Sequence, residues 1–311
     1  MHRGKQTGLG ERVRHLAVLR LAEHTLSELM QVDRLHLDLG GRVTGVDLAK
    51  TLDDETVAAL RDAIDEYSVL CFPDQAMTDE AQLALTGQLG DPEEGHVKFG
   101  TTGEIDYLAT IGNVIDATTK RDNADAYTLS QKGNNLWHTD SSFRSVPSYV
   151  SILHGYEIPG EGGETEFVSQ RAAYARLDPE RQLEIDDLYV LHDYVFSRAK
   201  IAPVHDNHAA SLPPVAHPLV RTNPNTGERN FYVGSHARSI IGWSGIDSRR
   251  LIDELNKLAT EPTAVYSHHW SPGDTVFWDN RCVLHRGAGY DANKWRRYMR
   301  QTRVAGTPKV T

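Results

Sequence analysis

Tyr149-Val150-Ser151-Ile152-Leu153-His154-Gly155-Tyr156-Glu157-Ile158 runs into Pro159-Gly160-Glu161-Gly162-Gly163 and then into Glu164-Thr165-Glu166-Phe167-Val168. β-Branched and aromatic residues crowd both flanks, and the Pro/Gly segment between them cannot continue a helix, so the passage reads as strand, turn, strand. Working outward, the same texture returns at 230–234, 264–270, 274–278 and 297–304, while 171–177, 179–188 and 248–260 carry helical spacing. Upstream, Leu35-His36-Leu37-Asp38-Leu39 alternates like a strand before Gly40-Gly41, and Ser68-Val69-Leu70-Cys71-Phe72 reads as a short buried strand. Asp53-Asp54-Glu55 opens a helical run through Val57, Leu60, Ile64 and Tyr67, and Thr78-Asp79-Glu80 opens another that ends near Gly90. Residues 91–135 are polar and weakly periodic, which suits a lid over a site. There is no internal repeat. Many short strands with Gly/Pro turns, plus helices in the insertions, predict a mainly β protein with helical insertions around a double-stranded β-helix (jelly-roll) core.

Residues 30–311 are expected to form a single domain. Residues 1–29 differ from it: they are basic, contain the amphipathic Val13-Arg14-His15-Leu16-Ala17-Val18-Leu19, and lack the apolar core of a secretory signal. Glu11, Glu23 and Glu28 count against a transit peptide, so this stretch reads as an appendage or as a start assigned too early. The 33 Lys and Arg against 43 Asp and Glu leave a formal charge of −10. That balance argues against a nucleic-acid partner, whose phosphates need basic neutralisation, and no apolar run reaches the ~18 residues of a membrane span. Cys71 and Cys282 sit in apolar strand-like segments, so they read as buried thiols and point to a cytoplasmic protein.

The chemistry is concentrated at His138-Thr139-Asp140 and, far downstream, His285 in Trp278-Asp279-Asn280-Arg281-Cys282-Val283-Leu284-His285. Two imidazoles and one carboxylate can hold one face of an octahedral metal and leave three positions open, the arrangement of non-haem Fe(II) oxygenases. A bare H-x-D is weak by itself, since this composition supplies about two His-x-acid pairs by chance. His36-Leu37-Asp38 is a second H-x-D here, read as structural. Context separates them: Asn134-Asn135-Leu136-Trp137 precedes His138, and Arg296-Arg297-Tyr298-Met299-Arg300-Gln301-Thr302 follows His285. Asp279 and Arg281 read as a buried ion pair, and Trp137 and Trp278 as core or pocket walls.

With Gly162-Gly163-Glu164-Thr165 as a further anchor, these motifs resemble, over most of residues 31–306, the TauD/TfdA family of Fe(II)- and 2-oxoglutarate-dependent dioxygenases. The resemblance implies that His138, Asp140 and His285 bind Fe(II), that Arg296 and Thr165 hold the far carboxylate of 2-oxoglutarate with Asn134 nearby, and that O2 completes the reaction. It implies that Arg300 and His236 engage the acidic group of a small anionic substrate, with Ser197 and Arg198 lining its pocket. The segments around Asp140, Thr165 and Asn280 look closer to the 2,4-dichlorophenoxyacetate branch than to the taurine branch. An aryloxyalkanoate or other aromatic carboxylate is therefore the expected substrate, and succinate and CO2 the expected co-products. Relatives of this kind associate as dimers or tetramers. Three other readings remain open on the residues alone: an alkylsulfonate dioxygenase, a zinc hydrolase built on the same His/Asp/His set, and a metal-binding ligand sensor.

Overall fold

The computed structural model describes residues 30–95, 107–201, 204 and 206–307. The appendage expected over residues 1–29 and residues 96–106 of the expected lid lie outside that range. The strands are β1 (Gln31–Arg34), β2 (Gly41–Thr44), β3 (Val69–Phe72), β4 (Ala109–Gly112), β5 (Ser148–Glu157), β6 (Thr165–Ser169), β7 (Tyr189–His192), β8 (Val215–Pro218), β9 (Val220–Thr222), β10 (Arg229–Phe231), β11 (Ala237–Ile240), β12 (Tyr266–His268), β13 (Thr275–Asp279), β14 (Val283–Gly287) and β15 (Tyr298–Ala305). The helices are α1 (Asp54–Tyr67), α2 (Asp79–Leu89), α3 (Ala126–Gln131), α4 (Gln170–Ala175), α5 (Pro179–Ile185), α6 (Tyr194–Arg198), α7 (Asp206–Ser211) and α8 (Gly245–Ala259).

The expected strand–turn–strand at 149–168 forms, but its two strands enter different sheets. β5 sits inside a seven-stranded sheet ordered β1-β2-β3-β13-β5-β15-β4, whereas β6 is the centre of a three-stranded sheet ordered β12-β6-β14. The Pro159–Gly163 turn carries the chain across, with Gly162 and Gly163 at φ 71° and 80°, a backbone region that glycine enters at little steric cost. The inner faces of the two sheets share one apolar layer: Cys71, Leu153, Val276, Trp278 and Met299 from the large sheet meet Phe167 and Val283 from the small one. Behind the large sheet, α1 and α2 pack through Leu60, Ile64, Leu85 and Leu89 against Leu70, Phe72, Ile152, Phe277 and Val304. Behind the small sheet, Val168 and Leu284 pack against α4, α8 and β7. The molecule is thus mainly sheet, with helices closing both outer faces.

Local chemistry explains most element ends. Asp53 and Thr78 cap α1 and α2 by accepting from Thr56 N and Ala81 N, and Ser68 closes α1 in the left-handed region at φ 61°. The strand expected over residues 35–39 lies instead at Gln31–Arg34, paired antiparallel with Gly41–Thr44. His36, Leu37 and Asp38 form the bend between them, where Asp38 N donates to His36 Nδ1 and Leu37 is 86% exposed. Alternation by itself did not distinguish a strand from the loop of a hairpin. Within 107–135 there are a strand, β4, and a helix, α3, so the expected lid is partly ordered structure packed on β15. No helix among the described residues is long and apolar enough to cross a membrane.

Gly112 ends β4 at φ 137°, and a Cβ placed there would lie 2.0 Å from the Arg297 carbonyl oxygen. Gly112→Ala must therefore displace main chain at the start of β15. We expect a stability loss of at least about 1–3 kcal/mol by denaturant unfolding; an unchanged midpoint would show that this approach relaxes freely.

Candidate active site

His138 and His285 are joined through their backbones before any side chain is considered. His138 N donates to His285 O at 3.0 Å and His285 N donates to His138 O at 2.8 Å, an isolated antiparallel bridge linking the 136–140 segment to β14. Both rings turn inward, with centroids 4.2 Å apart. Asp140 Oδ1 lies 3.8 Å from His138 Nε2 and 3.9 Å from His285 Nε2. These three ligand atoms all fall within 4.8 Å of one another, a spacing one metal ion can bridge. His138 Nδ1 donates to Leu136 O at 2.7 Å, which fixes the tautomer and leaves Nε2 its lone pair for a metal. Phe167 and Trp278 pack on the His285 ring.

Burial sets the protonation states. It pushes His138 down, and it pushes His285 to about 3 with help from the neighbouring His138. Burial opposes ionisation of Asp140, but His285, Arg303, His138 and Ser151 outweigh it and hold the carboxyl at about 2. At neutral pH the set is therefore two neutral imidazoles and one carboxylate, the form a divalent metal takes without first displacing protons. The donor chemistry and spacing fit Fe(II).

Around this set the structure rearranges several sequence expectations. Period-2 geometry puts alternate residues of β15 on opposite faces. Met299, Gln301 and Arg303 face the metal-ligand side, with Gln301 Nε2 donating to Asp140 at 2.9 Å and Arg303 pairing with Glu93 at 3.1 Å. Arg300 faces the other way: it pairs with Asp79 at the start of α2 at 2.8 Å and donates to Thr110, so it is not placed to meet a substrate at the metal. Arg296, expected at the cosubstrate, lies toward solvent and forms a two-bond pair with Glu157 at 2.6 and 3.0 Å.

Its neighbour Arg297 is the inward guanidinium. Arg297 is buried, its Nη2 approaches Gly163 O at 3.5 Å, its Nε has no hydrogen-bond partner, and no carboxylate among the described residues pairs with it. Burial pulls it down to about 10. The one-residue offset was invisible in Arg296-Arg297 because both faces of this strand carry cations and apolar residues. Thr165, two residues beyond Gly163, is buried and accepts from Trp270 Nε1 at 3.0 Å, leaving its own proton to donate.

A second group flanks His138. Arg198, at the end of α6, donates to Asn134 Oδ1 at 3.1 Å; its Nε is buried without a partner, and its charge reaches His138. Asn134 thus orients Arg198. His236 lies with its ring 6.1 Å from that of His138, within an aromatic wall where Phe143 meets Tyr194 at 4.8 Å and His236 at 5.0 Å. Ser197 is fully buried and donates to Ser235 at 2.9 Å, so it fastens the His236 loop to α6 rather than lining a pocket. No role for Phe143, Tyr194, Ser151 or Gln301 was legible in the sequence, because their neighbourhood exists only once the sheets meet. Asp279 and Arg281 form the expected ion pair, extended to Asp65 at 2.5 Å, and it lies on the far side of β13 from the ligands. A surface cleft of about 620 Å3 lined by Arg34, Asp65, Arg171 and Glu228 shares no residue with the metal set.

Comparison with known proteins agrees with this geometry. The sequence profile described as "Taurine catabolism dioxygenase TauD, TfdA family" matches residues 31–303. The chain belongs to the TauD/TfdA dioxygenase family. It is 35% identical over 274 residues to the alpha-ketoglutarate-dependent 2,4-dichlorophenoxyacetate dioxygenase of Cupriavidus pinatubonensis, covering 86% of this chain and 95% of the relative. It is 34% identical over 296 residues to the (S)-phenoxypropionate/alpha-ketoglutarate-dioxygenase of Sphingobium herbicidovorans, covering 91% and 97%. The crystal structure of AAD-2 with Mn(II) and N-oxalylglycine superposes with a TM-score of 0.82 at 36% identity, covering 91% of this chain and 98% of that one. This TauD/TfdA-family protein is an enzyme, a 2-oxoglutarate-dependent non-haem iron dioxygenase, and the zinc-hydrolase alternative finds no support.

Proposed function

We propose that the enzyme hydroxylates a small aromatic or aryloxy carboxylate, with His138, Asp140 and His285 holding Fe(II), and Arg297 and Thr165 holding the far carboxylate of 2-oxoglutarate. Bound iron with 2-oxoglutarate and O2 supplies the oxidising chemistry, yielding succinate and CO2. The observation that carries the cosubstrate assignment is Arg297: a buried guanidinium without an anionic partner is costly, and a carboxylate arriving at its planar fork repays that desolvation through charge-assisted hydrogen bonds. Thr165 adds a neutral donor from β6.

For the primary substrate, Arg198 takes the place first expected of Arg300. Its charge acts on His138, no carboxylate among the described residues pairs with it, and its guanidinium carbon lies 5.4 Å from the centroid of the Tyr194 ring, which Phe143 and His236 adjoin. A ring against that wall with its acid group on Arg198 is the arrangement that supports an aryl carboxylate. An aryloxyacetate hydroxylated beside its ether oxygen becomes a hemiacetal that breaks to a phenol and glyoxylate. The relatives named above are described as acting on compounds of this type. The same reading takes the two-sheet architecture as a double-stranded β-helix, the assembly as a dimer or tetramer, and the setting as the cytoplasm, where the buried thiols Cys71 and Cys282 stay reduced.

Anaerobic addition of Fe(II) and 2-oxoglutarate, then a panel of aryloxy acids, aryl carboxylates and sulfonates scored by succinate release, tests the proposal. Absence of substrate-stimulated succinate across the carboxylates would sink it, and stimulation by sulfonates alone would favour the alkylsulfonate reading. Arg198→Gln should raise the KM for an active aryloxy acid about 10- to 100-fold, the loss of a hydrogen bond to a charged group. An unchanged KM would take Arg198 out of the pocket.

A further inference from the structure

We propose that Ser151 and Gln301 keep Asp140 a one-oxygen ligand, and that this clamp sets the affinity for the metal. The inference rests on the assignment of His138, Asp140 and His285 as the ligand set. A carboxylate can offer a metal one oxygen or both. Here the two oxygens of Asp140 are differentiated before any metal arrives. Oδ1 faces both histidine Nε2 atoms, while Oδ2 accepts Ser151 Oγ at 2.6 Å from β5 and Gln301 Nε2 at 2.9 Å from β15. Swinging Oδ2 toward the histidines would break both bonds in a buried site.

The donors are themselves fixed. Ser151 Oγ accepts from Asn280 Nδ2 at 2.9 Å, which directs the serine proton to Asp140. Asn280 cannot rotate its amide without loss, because its Oδ1 accepts from Trp278 Nε1 at 3.1 Å and from Asp140 N at 3.1 Å. The Gln301 amide is oriented by the carboxylate it faces, since its flipped form would set oxygen against oxygen. Asn280 therefore controls both the backbone that carries Asp140 and the hydroxyl that holds its outer oxygen. On a six-coordinate metal, two imidazoles and a single carboxylate oxygen would leave three positions for the cosubstrate and O2, and a second ligating oxygen would take one of them.

The test reads metal binding with no cosubstrate and no turnover. Mn(II) is titrated into the metal-free enzyme and free Mn(II) is followed by electron paramagnetic resonance. Gln301→Met and Ser151→Ala are each expected to raise the dissociation constant about 10- to 100-fold, the usual effect of removing a group that orients a ligand. Thr302→Val is the control. Thr302 lies next to Gln301 but on the opposite face, bonded to Thr86 at 2.7 Å, so it should lower the unfolding midpoint of the metal-free protein and leave Mn(II) affinity unchanged. In the Mn(II)-loaded form, Gln301→Met should further weaken 2-oxoglutarate binding. Dissociation constants within twofold of wild type for both clamp variants would overturn the inference while leaving the ligand set standing, as would an equal loss in Thr302→Val. Wild-type protein that binds no Mn(II) would overturn the ligand set and the clamp together.

Discussion

Asp140→Ala is expected to reduce turnover to background and to leave purified protein without bound iron. Asp140 is the sole anion of the ligand set, lies within 3.9 Å of both imidazole nitrogens, and is held ionised at about 2. Removing it leaves two neutral donors 4.2 Å apart by ring centroid, too few to retain a weakly held ferrous ion. His138→Ala and His285→Ala should behave alike, since each deletes one of three ligands. The carboxylate's hydrogen bonds from Ser151 and Gln301 disappear with it, and hydrogen bonds to a charged group contribute about 1.5–3 kcal/mol each to the metal-free fold. Metal content by mass spectrometry, succinate release and an unfolding curve separate these effects. Full activity in any of the three variants would contradict the assignment.

Arg297→Ala carries the second large effect. Truncating one partner of a buried, hydrogen-bonded charge pair costs about 2–5 kcal/mol, so the 2-oxoglutarate dissociation constant should rise between about 30-fold and 1,000-fold or more. Arg296→Ala gives the contrast. Arg296 lies toward solvent, pairs with Glu157, and should leave cosubstrate affinity within twofold. Isothermal titration of the two variants, adjacent in sequence, decides which guanidinium faces the site. A greater loss in Arg296→Ala would reverse the face assigned to each residue of β15.

That contrast also marks how far the sequence could be read. His138, Asp140 and His285 were legible because the metal restricts the residue types and because H-x-D sits in a recognisable neighbourhood; the structure places the three together. The arginines were not legible at single-residue resolution. In a strand, one residue of offset exchanges the two faces, and Arg297, Met299, Gln301 and Arg303 on one side are no more distinctive as a string than Arg296, Tyr298, Arg300 and Thr302 on the other. Only the packing of Met299 into the layer between the sheets, and of Val304 under α1 and α2, shows which side faces inward. The helices were foreseeable from their caps, Asp53 and Thr78, whereas the short strands β7, β8, β9 and β11 have too few residues for any period to emerge. His36-Leu37-Asp38 repeated the metal motif in a bend, where its imidazole is used on the Asp38 amide. Arg198 was visible only as a resemblance, and its relation to Asn134 and the aromatic wall required the fold.

The reciprocal main-chain bonds between His138 and His285 have one more consequence. Two walls of the cage are stitched together by peptide groups, so their separation is a property of the backbone and does not depend on the ion's presence. A molecule stripped by a chelator keeps a cradle ready for reloading, and iron can leave and return without any segment having to refold around it.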